Sequence, residues 1–287
     1  MKNKSKSLLA AMGTVAVWAM AFPLSKYVMQ YMTPLDASEL RIIFGGVLLL
    51  GVAFIKGIQW PKGRDWIFFV LAGLTGNIFY QIVFNLGLQT IPAATSSMIV
   101  SSTPLLTAIL MQFIYKEKLS YAGWLYTFTA FIGVGLVLLW KGAWQLEIGA
   151  FWTLLAMIMF AWYNVFNRQL STVGYNAINI AAWSMFLGGI IGIPFLPGAI
   201  KSLLIQPTLV WGALFVLTFF STAIGFALWS YALEKAEKAS DVMNFLYISP
   251  LVAAVLSFLL LGEIPNIGFF IGGTVIISSL YLFNKYR

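Results

Sequence analysis

Apolar residues occupy this chain in long stretches, separated by short connectors that hold most of the turn formers and charges. At roughly 20 residues per bilayer crossing, the pattern predicts ten helices, over about 7–29, 35–55, 65–87, 92–115, 119–140, 147–167, 177–197, 208–233, 239–261 and 265–283. The breaks fall at Thr33-Pro34, Pro61-Lys62-Gly63-Arg64, Ile91-Pro92, Lys116-Glu117-Lys118, Lys141-Gly142, Gly174-Tyr175-Asn176, Pro197 and Gln206-Pro207, residue types that end helices and make turns. Thr33-Pro34-Leu35-Asp36 carries the marks of a helix start: a capping hydroxyl, a proline in the first turn and an acid facing the dipole. No connector is long enough to form a soluble domain.

Two stretches share one design. From Gly87 to Lys118 an apolar segment carries a small-polar cluster (Thr95, Ser96, Ser97, Ser101, Ser102, Thr103), then Pro104-Leu105, and closes on Glu117. From Ala232 to Ile264 the plan returns, with Pro250-Leu251 closing on Glu263 at the same Pro-to-Glu spacing. Lys26 follows Trp18 as Arg168 follows Phe160, and Gly45-Gly46 fall close to Gly188-Gly189 in that alignment. The chain therefore reads as two five-span units, 1–140 and 141–287. An odd number of crossings turns the second unit upside down in the membrane. Inverted-topology repeats of this kind are the usual scaffold of alternating access, with the substrate near the midplane between them.

Composition agrees with this reading. The chain is 61% hydrophobic and 9% charged, with a mean hydropathy of +0.90, against about 25% charged residues in soluble domains. The net charge of +8 needs no nucleic-acid partner. With the N-terminus in the cytoplasm, Lys2, Lys4, Lys6, Lys56, Lys62, Arg64, Lys116, Lys118, Arg168, Lys235, Lys238, Lys285 and Arg287 collect on the inner side, as the positive-inside rule requires. Both termini are thus expected in the cytoplasm and the protein in the cytoplasmic membrane. Ala19-Met20-Ala21 after a basic start mimics a signal-peptidase site, but the first run has a repeat partner inside the chain and is expected to be retained as an anchor. The chain has no Cys and no His. Disulfides, thiolate nucleophiles, histidine bases and His or Cys metal sites are therefore excluded. No phosphate-binding GxxxxGK[ST] loop occurs, so ATP does not drive transport within this chain.

In its motifs the sequence resembles the drug/metabolite transporter superfamily, specifically the EamA-like permeases, over essentially its whole length. The likeness is carried by Trp18 and Phe22, by Pro34 with Leu40-Arg41, and by Ser97 through Pro104-Leu105 to Glu117. In the second unit it is carried by Tyr231-Ala232-Leu233 and by Ser249-Pro250-Leu251 through Leu261-Gly262-Glu263. One departure is Trp18-Ala19 where the family usually has Trp-Gly, which reduces backbone freedom there. The resemblance implies a ten-helix fold, frequently an exporter of amino acids or related metabolites, with helices five and ten at the periphery and the other eight around a central cavity.

Several residues are candidates for the transport path. Asn77, Gln81 and Asn85 stand at i, i+4 and i+8, with Tyr80 and Phe84 beside them. Such a stripe faces protein or a water-filled path rather than lipid. Trp18, Ser97, Ser101, Tyr163, Asn164, Asn167, Asn244 and Tyr247 add to a neutral, amide- and aromatic-lined cavity for a zwitterionic or modestly polar organic molecule. For each amide the alternative is interhelical packing. Pro104 frees the carbonyl of Val100 and Pro250 that of Leu246; Ser101, Ser102 and Thr103 are placed to satisfy the first, and the two prolines read as paired hinges or as static kinks. Arg41 either meets a carboxylate cargo or pairs with neighbouring Glu39 and snorkels, the latter being favoured. Asp241 sits about a turn into helix nine, so no acid lies at mid-depth for proton coupling. Trp60, Trp66, Trp140 and Trp144 near span ends belong to the interfacial belt. Gly268 and Gly272 form a helix-packing face, a candidate contact between protomers.

The expectation is a secondary transporter of a small organic metabolite, of amino-acid type and in the export direction, without cofactor or metal, as a monomer or homodimer in contact with lipid. A channel or a non-transporting membrane subunit is the alternative. An intramembrane enzyme is less favoured, because no nucleophile and base converge.

Overall fold

The computed structural model describes residues 2–116, 120–140, 147–235 and 248–286. Glu117, Trp144, Asp241, Asn244 and Tyr247, singled out above, lie outside the described residues. Among the described residues the chain is helical throughout, with no strand. In order the helices are α1 (Lys2–Val28), α2 (Pro34–Lys56), α3 (Asp65–Gly73), α4 (Phe79–Leu88), α5 (Ala93–Val100), α6 (Thr103–Tyr115), α7 (Tyr121–Leu139), α8 (Ile148–Val173), α9 (Ala177–Gly192), α10 (Leu196–Leu204), α11 (Thr208–Phe215), α12 (Gly225–Lys235), α13 (Ser249–Leu261) and α14 (Ile267–Tyr286).

Joined end to end, these make seven runs long and apolar enough to cross a membrane: Lys6–Val28, Pro34–Lys56, Asp65–Thr90, Ala93–Tyr115, Ile148–Val173, Ala177–Leu204 and Thr208–Trp229. Tyr121–Val137, Ser249–Leu261 and Ile267–Phe283 are shorter apolar helices. Their outer faces carry exposed Phe, Leu and Ile side chains, among them Phe54, Phe113, Phe128 and Leu259, as lipid contact demands.

Local sequence accounts for the helix ends. The Thr33 hydroxyl accepts a hydrogen bond from the Asp36 amide at 3.1 Å, with Pro34 opening α2 behind it. α8 ends on Gly174 at φ +107°, whose amide bonds back to Leu170 and Ser171, the left-handed close that glycine tolerates best. The predicted fourth span is broken rather than bent. α5 stops at Val100, Ser101 and Ser102 make a turn, and α6 restarts with Pro104 in its first turn. Thr103 Oγ1 donates to the Val100 carbonyl at 2.6 Å, and Ser101 Oγ to Met98 O at 2.7 Å. Thr103 thus takes up the acceptor that the proline leaves open, and Ser101 takes up one at the end of α5. Two runs contain π-helical turns, Leu74–Ile78 between α3 and α4 and Val216–Ile224 between α11 and α12.

These features recur along the chain. The N-caps Thr33 and Asn176 stand 143 residues apart, and each accepts from the amide three residues on. The π turns start at Leu74 and Val216, 142 residues apart. Pro104 and Pro250, 146 apart, each lie in the first turn of a 13-residue helix that ends in a left-handed residue, Lys116 at φ 57° and Gly262 at φ 67°. Lys116 is the non-glycine residue with positive φ among the described residues.

α2 packs antiparallel to α9 at backbone distance. A Cβ on Gly46 would meet the Phe186 backbone at 2.8 Å, and one on Gly189 would meet Ile43 Cα at 2.8 Å. Gly73 and Gly188 bring α3 onto the same helix, where a Cβ on Gly188 would lie 2.8 Å from Gly73 O. Small residues are what allow helices to approach this closely in lipid. α7 and α14 pair with each other, Gly133 against Gly272. The Gly268/Gly272 face is therefore used inside this chain, with Gly268 under Trp140.

Candidate functional site

α1, α2 and α4 converge with α11 and its π turn on a narrow crevice lined by Ser25, Val28, Met29, Ala37, Arg41, Gln81, Asn85, Leu214 and Leu217. It brings residues from the first and second halves of the chain together. Arg41 stands seven residues into α2, so at 1.5 Å per residue the crevice lies about 10 Å in from the helix ends rather than at their middle. The space is closed down so far that it has no room for a water molecule.

Its polar groups are unusually short of partners. Ser25, Arg41, Gln81 and Asn85 are 2%, 8%, 4% and 2% exposed. Ser25 Oγ, Gln81 Nε2 and Asn85 Oδ1 are buried without a hydrogen bond, although buried polar atoms are almost always bonded. Arg41 Nε donates to Thr222 Oγ1 at 3.0 Å, and Asn85 Nδ2 donates to Ser38 Oγ at 3.0 Å. Arg41 does not pair with Glu39. The Glu39 carboxylate is fully buried, is turned against Gly192, and accepts no hydrogen bond. Two residues along a helix are about 200° apart, so Arg41 and Glu39 face different neighbours.

The amide stripe divides at the π turn. Asn77 lies within that turn, whose wider winding rotates it toward α9. There its amide nitrogen stands 3.5 Å from both Ser184 Oγ and Ala72 O. Gln81 and Asn85 keep the opposite direction and reach the crevice. Tyr80 stacks on Phe84 and meets Phe160 at a tilt, and Tyr163 packs against Gly76 with its hydroxyl toward Ser184 and Asn167. Asn164 Nδ2 donates to Thr107 Oγ1 at 3.2 Å. Ser97 and Ser101 bond back to Ala94 and Met98 in their own helix. Trp18 is held in a reciprocal clasp: its Nε1 donates to Ser221 O at 3.0 Å, Ser221 Oγ donates to Val17 O at 2.7 Å, and Phe226 and Trp229 flank the ring. Of the predicted site residues that the structure describes, Arg41, Gln81 and Asn85 therefore share one space; the other described ones sit in helix contacts around it.

Two polar ties join the halves at opposite ends of the bundle. Beside the crevice, Lys26 Nζ lies 2.6 Å from Glu263 Oε1 and donates to Ile91 O at 2.6 Å, while Glu263 Oε2 accepts the Ala93 amide at 2.8 Å. Glu263 thus caps the start of α5, where an anion is favoured. At the far end, the connector after α2 is knotted to the start of α9. The Gln59 amide donates to Asn179 Oδ1 at 2.8 Å and Trp183 Nε1 to Gln59 O at 2.9 Å. Tyr175 accepts the Lys62 amide at 2.9 Å and donates to Asp65 at 2.9 Å. Desolvation, with the Asp65 carboxylate beside it, raises the Tyr175 pKa, so its hydroxyl stays a donor at neutral pH.

Sequence reasoning named neither Ser25 nor the Lys26–Glu263 pair. A usable signal was present for the pair, since opposite charges end two spans at the same depth. Ser25 gives no such signal, because a lone serine in an apolar helix is ordinary.

This geometry agrees with what related sequences say. The EamA-like transporter family matches residues 5–139 and again 147–285, so the chain belongs to that family. It is 27% identical to a probable terminal-alkyne amino-acid exporter of Streptantibioticus cattleyicolor, over 98% of this chain and 94% of that one. It is 29% identical to an uncharacterized transporter of Archaeoglobus fulgidus, over 96% and 97%, and 28% identical to the uncharacterized transporter YdfC of Bacillus subtilis, over 93% and 87%. A crystal structure only 16% identical in sequence shares the fold with a TM-score of 0.65 over 96% of each chain. The protein is a multi-pass membrane transporter.

Proposed function

We propose that this chain is a secondary carrier that exports a small amino-acid-like metabolite across the cytoplasmic membrane by alternating access. Ten spans form two inverted five-helix repeats, 1–140 and 141–287, with both termini in the cytoplasm. The observation that carries the reading is the crevice: unpaired buried polar atoms gathered between helices of the two units, in a space shut to water. Unpaired polar atoms in a dry site cost about 1–3 kcal/mol each, a cost a polar cargo offsets. The recurring caps, π turns and proline-started helices, and the reciprocal Gly46–Phe186 and Gly189–Ile43 contacts, support inverted repeats; a pseudo-two-fold between antiparallel helices produces reciprocity of that kind. The family's two separate matches along the chain fit the same division. In this arrangement Lys26–Glu263 lies on the outer side and the Gln59–Asn179 knot on the inner side, so the conformation is occluded. The named activity of the Streptantibioticus relative points to an amino-acid cargo.

Counterflow in proteoliposomes, against a panel of labelled amino acids and small metabolites, tests this reading. Saturable exchange is the expected result, and conductance without saturation would replace the carrier with a channel. Gln81→Leu is expected to cut exchange at least ~10-fold, the loss of one bond to a charged or strongly polar cargo group. Asn77→Leu, which removes a contact to α9 rather than a crevice group, is expected to change exchange less while lowering thermal stability.

A further inference from the structure

We infer that the crevice is an anion site that grips the carboxylate of the cargo, with Arg41 as the charge and Gln81 and Ser25 as flanking donors. The inference rests on the carrier reading above and adds the chemistry of recognition.

Arg41 is a buried guanidinium in a membrane span, an arrangement that is costly unless an anion or several acceptors compensate it. Among the described residues it makes one hydrogen bond, through Nε to the neutral Thr222 hydroxyl. The neighbouring acid, Glu39, is packed on Gly192 and does not compensate it. The two η nitrogens are the part of a guanidinium that forks a carboxylate. Around the same space Gln81 Nε2 and Ser25 Oγ hold unused donor hydrogens. One cation and two neutral donors, with no acid among the lining residues, select a carboxylate and disfavour an ammonium group. Asn85 Oδ1, also unpaired, offers an acceptor for a polar group carried next to the carboxylate. A crevice too tight for water leaves these atoms without solvent partners, and cargo entry requires the helices to part.

Because the chain has no cysteine, a single introduced thiol reports on the crevice whatever the cargo is. Ala37 lines it and is buried. In purified Ala37→Cys protein in proteoliposomes, the rates of reaction with an anionic (sulfonatoethyl) and a cationic (trimethylammonioethyl) methanethiosulfonate are measured, each normalised to its rate with free cysteine. The anionic reagent is expected to be favoured about tenfold or more. That preference should vanish in Arg41→Gln and persist in Arg41→Lys, which keeps the charge should the neutral variant fold poorly. Equal rates or a cationic preference in the Ala37→Cys protein overturn the anion site and leave alternating access standing. Failure of both reagents, from either side, makes the crevice sealed packing and overturns both.

Discussion

Replacing Lys26 by methionine is expected to open the crevice from the outside. Lys26 holds Glu263 and the Ile91 carbonyl, and Glu263 in turn holds the start of α5, so one side chain ties α1, α13 and α5 together. The pair is partly exposed, 20% and 17%, and an exposed ion pair alone contributes little. Two charge-assisted hydrogen bonds to backbone groups add to it, and about 2 kcal/mol for the whole tie is a reasonable magnitude. That corresponds to a roughly 30-fold shift of population toward the outward-open form. The check is the labelling rate of Ala37→Cys by an impermeant thiol reagent applied outside, which should rise about 30-fold in Lys26→Met and similarly in Glu263→Gln. If the double variant rises no further than either single one, the two residues act as one device. An unchanged rate in all three would make the tie ornamental.

The second large effect concerns the backbone contact between α2 and α9. Gly46→Val and Gly189→Val each force a β-branched side chain against main-chain atoms at 2.8 Å, which the neighbouring helix can relieve only by moving as a unit. Overpacking of this sort costs about 1–3 kcal/mol, and the melting temperature in detergent should fall by several degrees for each. Gly51 provides the control. It lies on the same helix α2 with nothing within 4 Å of where a Cβ would stand, so Gly51→Ala should be neutral or slightly stabilising, alanine being the better helix former. Equal losses for Gly46 and Gly51 would indicate a general helix effect rather than a close crossing.

Much of the architecture was legible because lipid makes it so. Hydrophobic runs near 20 residues, a capping Thr33 before Pro34, the break at Pro104 and the helix start at Pro250 are each fixed by local chemistry, and the described helices start and stop close to where those residues predict. The paired spacings read from the sequence have counterparts in the recurring caps, π turns and proline-started helices. The π turns were not, since nothing in Leu74–Ile78 or Val216–Ile224 marks an extra residue per turn. That missing phase is why Asn77 reads as part of a stripe with Gln81 and Asn85, yet meets Ser184. Arg41 shows the other limit. Sequence proximity favours a pair with Glu39, but helix geometry turns the two apart, and Gly192, far away in the chain, offers Glu39 its seat. The crevice itself depends on four helices meeting, and Ser25 enters it only because α1 crosses there.

The central claim is that two units built to one plan run through the membrane in opposite senses. Lys62 and Ile205 occupy matching connectors of the two units, 143 residues apart, and both are exposed. Single cysteines at these positions, probed in intact cells with an impermeant thiol reagent, report the side of each directly. The account predicts that Ile205→Cys is labelled from outside while Lys62→Cys reacts only after the membrane is opened. Labelling of both from the same side would mean parallel units and would contradict the account.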